Sequence, residues 1–585
     1  MSIYGIVELH GGKLVVNISD EQDTRIIYSD KFMPGDKIDV KPELTLIERK
    51  EQAGIAYVKS IYKGMAKLYI ANFGPSCPFA PEISLNELPI KVGDRIVVWF
   101  CKNGTIEFRG LYSPDAIDDV SCLLKMYSLY KKPENFIPTL YSHPLYTIDT
   151  QINHNDLNTF TIDPATSKDF DDAISVDTVN NTIYIHIVDI ATAESESLIT
   201  ETAEKRLHER CLTLYLSNEH TEHLLDPEIA SDTLSLIKGK ERKVITVKVS
   251  LNDEGMVNSY DIYKSIIIVK NRWNYDEVAN MFNSDQSPQE LQYLLNLTNM
   301  RSSNIKYNIN LPSLRFNIDR TTGLIDELKV ESTNDDSHNI VATAMILANL
   351  VVSKHLKDCH VCLPNRFHDN LHGMSNIKFT TTENELVDSF IMVKRYARAY
   401  YSVDNKGHFG LGLTDYVHFT SPMRRYADVI VHRILSGVKF NDEALHKEVE
   451  WMNFRASTVR SIQDLYTMWK IIRHVQNESQ LYKITHKKEK LYEVWITDVK
   501  KGGVLWFMPS MSLNGFAHVS SLEPKQFWYF DCTKNTLQGD SNKATILIGN
   551  KMEATISNVD PITYAINLTI YSYQSVSKLV TFNGK

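Results

Sequence analysis

The sequence predicts a multidomain α+β protein in which a central domain of mixed strands and long helices is flanked by small OB-type β-barrels. Three observations predict it. Residues 1–113, and again the stretch from Leu491 onward, alternate apolar and polar residues with the period of two that half-buried strands need. Between them, longer segments carry apolar residues at helical spacing. The chain, at 585 residues, is too long for a single core and divides into several domains.

The elements follow in order. Residues 1–45 read as a first barrel, with short alternating strands at 3–7, 13–16 and 24–28 and Gly-Gly and Pro-Gly turns between them. Residues 46–113 read as a second, because Pro34-Gly35-Asp36-Lys37-Ile38 returns in kind as Val92-Gly93-Asp94-Arg95-Ile96. Residues 114–150 are a connector with one helix over 122–130. Residues 151–485 mix strands at 182–188 and 244–251 with helices at 276–299, 338–357, 385–402, 425–437 and 443–484. Residues 486–575 turn to β again, with alternation at 494–496, 503–507, 515–519 and 551–559.

Composition excludes some classes. A hydrophobic share of 43%, a charged share of 23% and a net charge of −9 describe an ordinary globular protein and argue against a basic wrapping protein. They leave room for a chain that gathers Lys and Arg in one channel. Seven dispersed cysteines make no disulfide framework and point to reduced thiols in a cytoplasmic setting. Cys359-His360-Val361-Cys362 has ligand-like spacing but no second pair at zinc-site distance, and reads as a short buried strand. No signal peptide and no run of ~18 apolar residues is expected. The most apolar run, 340–352, is interrupted by Thr343 and Asn349 and reads as a buried helix. A soluble monomer without a membrane partner is expected.

The chemistry concentrates at 160–173. Asp163, Asp169, Asp171 and Asp172 lie close together, with Thr159-Phe160-Thr161-Ile162 before them and Ala173-Ile174-Ser175-Val176 after. Apolar flanks pull both ends of the stretch into a core and leave four acids facing one small volume. Like charges so placed repel strongly and stay ionised only around a cation, and hard oxygen donors suit Mg²⁺, or Mn²⁺ in its place. An Asp-rich turn needs one or two acids, not four.

This stretch, Asp-x5-Asp-x-Asp-Asp-Ala after a Thr-Ile pair, resembles the signature of the RNB family of exoribonucleases. A distant second stretch agrees with it: Gly407-His408-Phe409-Gly410-Leu411, then Tyr416-Val417-His418-Phe419-Thr420-Ser421-Pro422-Met423-Arg424-Arg425-Tyr426-Ala427-Asp428. The resemblance covers nearly the whole chain. It implies two cold-shock-like barrels, a central RNB catalytic domain and an S1-like barrel carrying Gly515-Phe516-Ala517-His518-Val519. It implies a hydrolytic 3′→5′ exoribonuclease that degrades single-stranded RNA to nucleoside 5′-monophosphates, the RNA threading a narrow channel to reach the metals.

Carried over residue by residue, the four aspartates hold the metal, Asp171 is the most sensitive for the chemical step, and Arg424 contacts the scissile phosphate. Tyr215 and Phe316 clamp the terminal bases, and Tyr275 lies further up the channel. Arg425 and Asp428 read as a structural ion pair. The family's acidic pair in the helix around 342 is Ala342 and Thr343 here, which bears on sugar selectivity. Two alternatives stand beside the nuclease: a non-catalytic RNA-binding scaffold that kept the fold, and a nuclease of shifted substrate, such as single-stranded DNA or one structured RNA. The basic stretch His486-Lys487-Lys488-Glu489-Lys490, beside Tyr482 and Tyr492, reads equally as an RNA contact or a solvated linker.

Overall fold

The computed structural model of the chain describes residues 4–571 apart from 11–12, 19–22, 28, 41–43, 74–76, 86–87, 131–139, 143–150, 285–286, 303–311, 333–334, 370–381, 395–397, 542 and 561–564. The first Gly-Gly turn, residues 131–139 and 143–150 of the connector and the chain beyond 571 thus lie outside the described residues.

One strand order is used three times. The strands Tyr4–His10, Lys13–Ile18, Asp23–Ile27, Lys37–Asp39 and Thr45–Glu48 lie 3-2-1-4-5 across their sheet. Gln52–Tyr62, Met65–Ile70, Glu82–Ser84, Arg95–Phe100 and Ile106–Tyr112 repeat that order. So do Tyr492–Lys500, Gly503–Met508, Leu513–His518, Lys551–Asp560 and Ala565–Tyr571. In the last copy the chain between the third and fourth strands adds a sixth strand, Leu522–Glu523, beside Ala565–Tyr571 and a separate three-stranded sheet over Trp528–Asp531, Thr536–Gly539 and Thr545–Ile546.

The Gly-Asp echo of the sequence is one turn built twice. Gly35 N–H donates to Val7 O at 2.7 Å and Gly93 N–H to Val58 O at 2.9 Å, both glycines at φ +93°. That backbone conformation is strained for any side chain. Asp36 Oδ2 accepts Met33 N–H at 3.0 Å, and Asp94 Oδ2 accepts Lys91 N–H at 2.8 Å.

The central sheet holds β1 (Gln151–Asn153), β2 (Thr159–Ile162), β3 (Asp172–Asp177), β4 (Thr182–Val188), β5 (Glu241–Leu251) and β6 (Val257–Trp273). The long β6 pairs with β1 and then β2 along one edge and with β5 along the other. The ladder β2-β3-β4-β5-β6 therefore closes on itself and leaves those strands no open edge. A buried polar chain crosses all five: Thr159 Oγ1 to Ser175 Oγ at 2.8 Å, Ser175 to His186 Nε2 at 3.1 Å, His186 Nδ1 to Thr246 Oγ1 at 2.8 Å, and Thr246 to Ser265 Oγ at 2.5 Å. Each member satisfies its neighbour, so burial costs little and the strand register is fixed.

The helices are α1 (Asp119–Leu129), α2 (Ile190–Ser195), α3 (Glu201–Arg210), α4 (Tyr275–Phe282), α5 (Gln289–Ser302), α6 (Asp336–Asp358), α7 (Glu385–Val393), α8 (Tyr426–Leu435) and α9 (Asp442–His486). Two expectations are corrected. The single helix over 276–299 is two, because Pro288 cannot continue a helix and instead opens α5, its carbonyl accepting Leu291 N–H at 3.1 Å. The helix over 385–402 stops at Val393, and Tyr400–Ser402 is a strand paired with Asn365–Phe367.

Helix α6 is long and apolar enough by composition to cross a bilayer, beyond what the interrupted run at 340–352 suggested. It is the core helix: Ile340, Ala344, Leu347, Ala348 and Val352 are fully buried in the largest hydrophobic cluster with strands β3, β4 and β5. The Cys359–Cys362 segment is the half-buried turn leaving that helix and not the expected strand, and none of the seven cysteines is in a disulfide.

A buried charge cluster ties the second sheet to the central domain. Asp119 of α1 accepts from Arg95 at 2.6 Å and from Arg473 of α9 at 2.5 Å. Lys470 Nζ, without solvent exposure, reaches Glu219 at 2.9 Å, Gly323 O at 2.8 Å and Ala116 O at 3.1 Å. Every charge in it has a partner, which the low-polarity interior requires.

Candidate metal and phosphate site

The acid stretch is the loop that joins β2 to β3. Strand β2 is buried along its whole length, and Asp163 N–H extends its ladder to Trp273 O at 3.2 Å. The loop is pinned from beneath by Ser235, whose hydroxyl accepts Phe170 N–H at 3.0 Å and donates to Lys168 O at 2.7 Å. Arg272 at the end of β6 holds its rim, donating to Pro164 O and Ala165 O at 3.1 Å and lying 5.4 Å over the Phe170 ring. Those anchors place Asp163 at one end of the loop and Asp171 and Asp172 at the other, at the head of β3.

The distant Ser-Pro-Met-Arg-Arg turn meets this loop. Met423 N–H donates to Asp171 Oδ1 at 2.9 Å, and Arg424 Nε stands 3.5 Å from Asp171 Oδ2. Arg424 also donates to Ser421 Oγ at 2.9 Å, yet its side chain keeps 45% of its surface exposed and can still reach a ligand. Arg425 turns away into a bidentate pair with Asp428 at 3.0 and 2.8 Å, and Asp428 caps Ser421 N–H at 2.8 Å. The expected structural role of that pair is what the geometry gives.

Tyr215 belongs to the same cluster. Its strand, Leu214–Leu216, is tied to the arginine turn by Thr213 N–H donating to Arg424 O at 3.1 Å, and its hydroxyl lies 3.5 Å from Asp169 Oδ2. Asp163, Asp169, Asp171, Asp172, Arg424 and Tyr215 are thus brought together. Tyr275, the first residue of α4, feels Asp172 and Asp163, and its ring stacks on His338 at 3.8 Å and 11°. Phe316 lies against Tyr466, ring centroids 6.0 Å apart, and its carbonyl accepts from Ser217, two residues beyond Tyr215. Ala342 is exposed on α6 one turn after His338.

The electrostatics of the loop are those of acids lacking a counter-charge. Burial first, then Asp172 and Asp171, pushes the Asp163 carboxyl up to about 8. Burial pushes Asp171 up to about 8 against the pull of Arg424 and the Met423 N–H, and Asp172 up to about 6. Asp163 Oδ2 is buried with no hydrogen-bond partner among the described residues. Among those residues no group of three or more His, Cys, Asp or Glu side chains is already placed to hold a metal ion. Crowded carboxylates, one with an orphaned oxygen, suit a divalent ion that keeps part of its water shell and takes only some ligands from protein. The donor set is of the kind that suits a hard divalent cation.

Several positioning groups have no signature in the sequence: Ser235, Arg272, the Met423 amide and His338. Only the arginine turn's N–H lay within a stretch already singled out.

The RNB domain profile matches residues 151–441, the span of the closed sheet, the acid loop and the arginine turn. The chain carries an RNB domain. It is 26% identical over 574 residues to ribonuclease R of Chlamydia pneumoniae, covering 89% of this chain and 83% of that protein. Its fold is similar to that of Mycoplasma genitalium RNase R, in the apo form (TM-score 0.73) and in complex with ribose methylated single-stranded RNA (TM-score 0.72). Both share 18% identity and cover 97% of this chain and 100% of the other. The fold is also similar to that of yeast Ssd1, a pseudonuclease, with a TM-score of 0.67 and 16% identity over 92% of this chain and 81% of that one.

Proposed function

We propose that this RNB-domain chain is a divalent-metal-dependent, hydrolytic 3′→5′ exoribonuclease that shortens single-stranded RNA and releases nucleoside 5′-monophosphates. The observation that carries the reading is the junction at Asp171, where a buried carboxylate of the acid loop is held by Met423 N–H and faced by the half-exposed Arg424.

Asp163, Asp169, Asp171 and Asp172 would hold the metal, which supplies a nucleophilic hydroxide and charge stabilisation when bound. Arg424 donates its planar fork to the non-bridging phosphate oxygens as negative charge grows there, steadied by Ser421. A water oxygen forms the new bond to phosphorus, the P–O3′ bond breaks, and its electron pair leaves on O3′, which takes up a proton. The shortened chain keeps a 3′-hydroxyl and the released nucleotide a 5′-phosphate. Tyr215 and Phe316 stack on the terminal bases, with Tyr275 further along the strand. The three 3-2-1-4-5 sheets serve as two cold-shock-like barrels and one S1-like barrel at 486–575, with the 114–150 connector and the 151–485 domain between them. The strand Thr45–Glu48 carries the first barrel past the expected bound at 45 and moves the start of the second beyond 46. Free cysteines are consistent with a reducing, cytoplasmic setting.

The likeness to a pseudonuclease favours one second reading, an RNA-binding scaffold with the same fold. The complete set of four acids with Arg424 supports the enzyme instead. Incubating matched single-stranded RNA and DNA oligomers with Mg²⁺, and resolving the small products, tests the proposal. RNA shortened to 5′-monophosphates supports it. DNA shortened equally fast moves the substrate, as the exposed Ala342 in place of an acid would permit. RNA bound and left intact with either metal turns the reading to the scaffold.

A further inference from the structure

A second charged cluster lies behind the arginine turn. The strand pair Asn365–Phe367 and Tyr400–Ser402 places Arg366 opposite Tyr401, with its guanidinium 4.8 Å over the Tyr401 ring. Tyr401 bridges two elements. Its hydroxyl meets His418 Nδ1 at 2.8 Å, three residues before Ser421, and its backbone exchanges hydrogen bonds with the Asn453 side chain of α9 at 2.8 and 2.7 Å. Arg460 and Asp464 follow Asn453 by seven and eleven residues, two and three turns along the same face of α9. Arg398 is exposed just ahead of Tyr400, and Lys394 is exposed at the end of α7 with its ammonium 5.1 Å over Phe390.

Three of these cations act on one acid, and the fourth, Arg366, acts on Arg460. Loss of water and then repulsion from Arg398 and Arg366 hold Arg460 below its ordinary value, with Asp464 partly offsetting. Asp464 in turn interacts with Arg398, Arg460 and Lys394. Among the described residues, none of the four cations is in an ion pair. In a chain of net charge −9, four cations beside one acid leave a local excess of positive charge, which favours an anion. The cluster is next to the site: α9 also donates from Gln463 Nε2 to Tyr215 O at 3.2 Å, and His418 feels Arg366, Arg424 and Arg425 together.

We propose that Arg366, Lys394, Arg398 and Arg460 form a phosphate-binding patch beside the Tyr215–Arg424 site. The inference rests on the nuclease reading for its ligand, a phosphate of the RNA backbone or of the released mononucleotide. Arginine forks and a lysine point charge on a half-exposed surface suit either.

The test uses the full chain with the double substitution Lys394→Gln/Arg398→Gln, both exposed and outside the catalytic set, and Lys394→Arg/Arg398→Lys as a charge-keeping control. RNA binding is measured with a labelled single-stranded oligomer in chelator across a salt series, and nucleoside 5′-monophosphate binding by calorimetry. If the patch takes backbone phosphates, the slope of log affinity against log salt falls by about 1.4 in the Gln variant, as loss of two single-strand contacts requires. If it takes the released nucleotide, the slope stays and monophosphate binding weakens, in the Gln variant alone. Both readouts matching the parent overturns the patch. A chain that shows the slope change but never shortens RNA leaves the patch standing and removes the nuclease reading.

Discussion

Asp171 and Arg424 face each other at 3.5 Å, the acid only 4% exposed at the head of β3 and the cation 45% exposed on the turn that leads into α8. The pair joins two stretches that lie far apart in the chain, and the proposed nuclease would use its asymmetry. A buried carboxylate holds its position, while a half-exposed guanidinium anchored at Ser421 keeps donors for a substrate oxygen.

Removing the cation should therefore act on rate. Arg424→Ala is expected to slow single-turnover cleavage about 10²–10³-fold, the range for losing one preorganised oxyanion donor, and Arg424→Lys to recover only part of it. RNA affinity measured in chelator should change far less. Affinity lost in place of rate would assign Arg424 to binding.

Metal affinity should rise steeply with pH. Asp163 and Asp171 sit near 8 and Asp172 near 6 without a cation, so at neutral pH protons compete for the same oxygens. Mg²⁺ binding to the full chain should tighten between pH 6 and 8 and release protons, read by calorimetry in buffers of different ionisation enthalpy. The same raised values make the metal-free fold lose stability as pH rises through that window, because the folded state binds the extra protons. Added Mg²⁺ should therefore raise the melting temperature more at pH 8 than at pH 6.

The polar chain inside the closed sheet predicts an opposite trend in acid. Burial and then His154 hold His186 down to about 3, far below its ordinary value. Unfolded chain binds that proton below pH 6.5 and folded chain does not. The stability His186 contributes is present above 6.5 and is lost as pH falls toward 3, about 2 kcal/mol by pH 5. Denaturant unfolding at pH 7.5 and 5 should show the parent losing about 2 kcal/mol relative to His186→Gln between the two, beneath the opposite trend that the acid loop imposes on both.

The buried cluster at Lys470 should dominate the attachment of the second sheet. Lys470→Met leaves Glu219 and the Gly323 and Ala116 carbonyls facing an apolar side chain, at a cost of about 3–5 kcal/mol for an uncompensated buried charge. Thermal unfolding should fall accordingly, and Arg473→Met, at the partly exposed end of the cluster, should cost less.

What the sequence made legible follows from what kind of signal each feature leaves. Period-two alternation and the Gly-Asp turns at Gly35 and Gly93 expose the tandem sheets, because a turn needing positive φ constrains residue type locally. The four acids stand out because unpaired like charges are rarely placed together. The helix bounds at 276–299 and 385–402 misled, since apolar spacing runs on past Pro288 and past Val393 where backbone geometry does not. Ser235, His338 and the Lys470 cluster left no trace, because each acts through a partner far along the chain, and no local pattern encodes that pairing.

The central claim is that chemistry happens at the acid loop. Asp171→Asn keeps an oxygen for the Met423 N–H and so keeps the loop, while removing the charge. In a time course on 5′-labelled single-stranded RNA with Mg²⁺, the parent should shorten RNA stepwise from the 3′ end, and the variant should bind RNA as tightly and leave it intact. A variant that shortens RNA at the parent's rate would contradict the account.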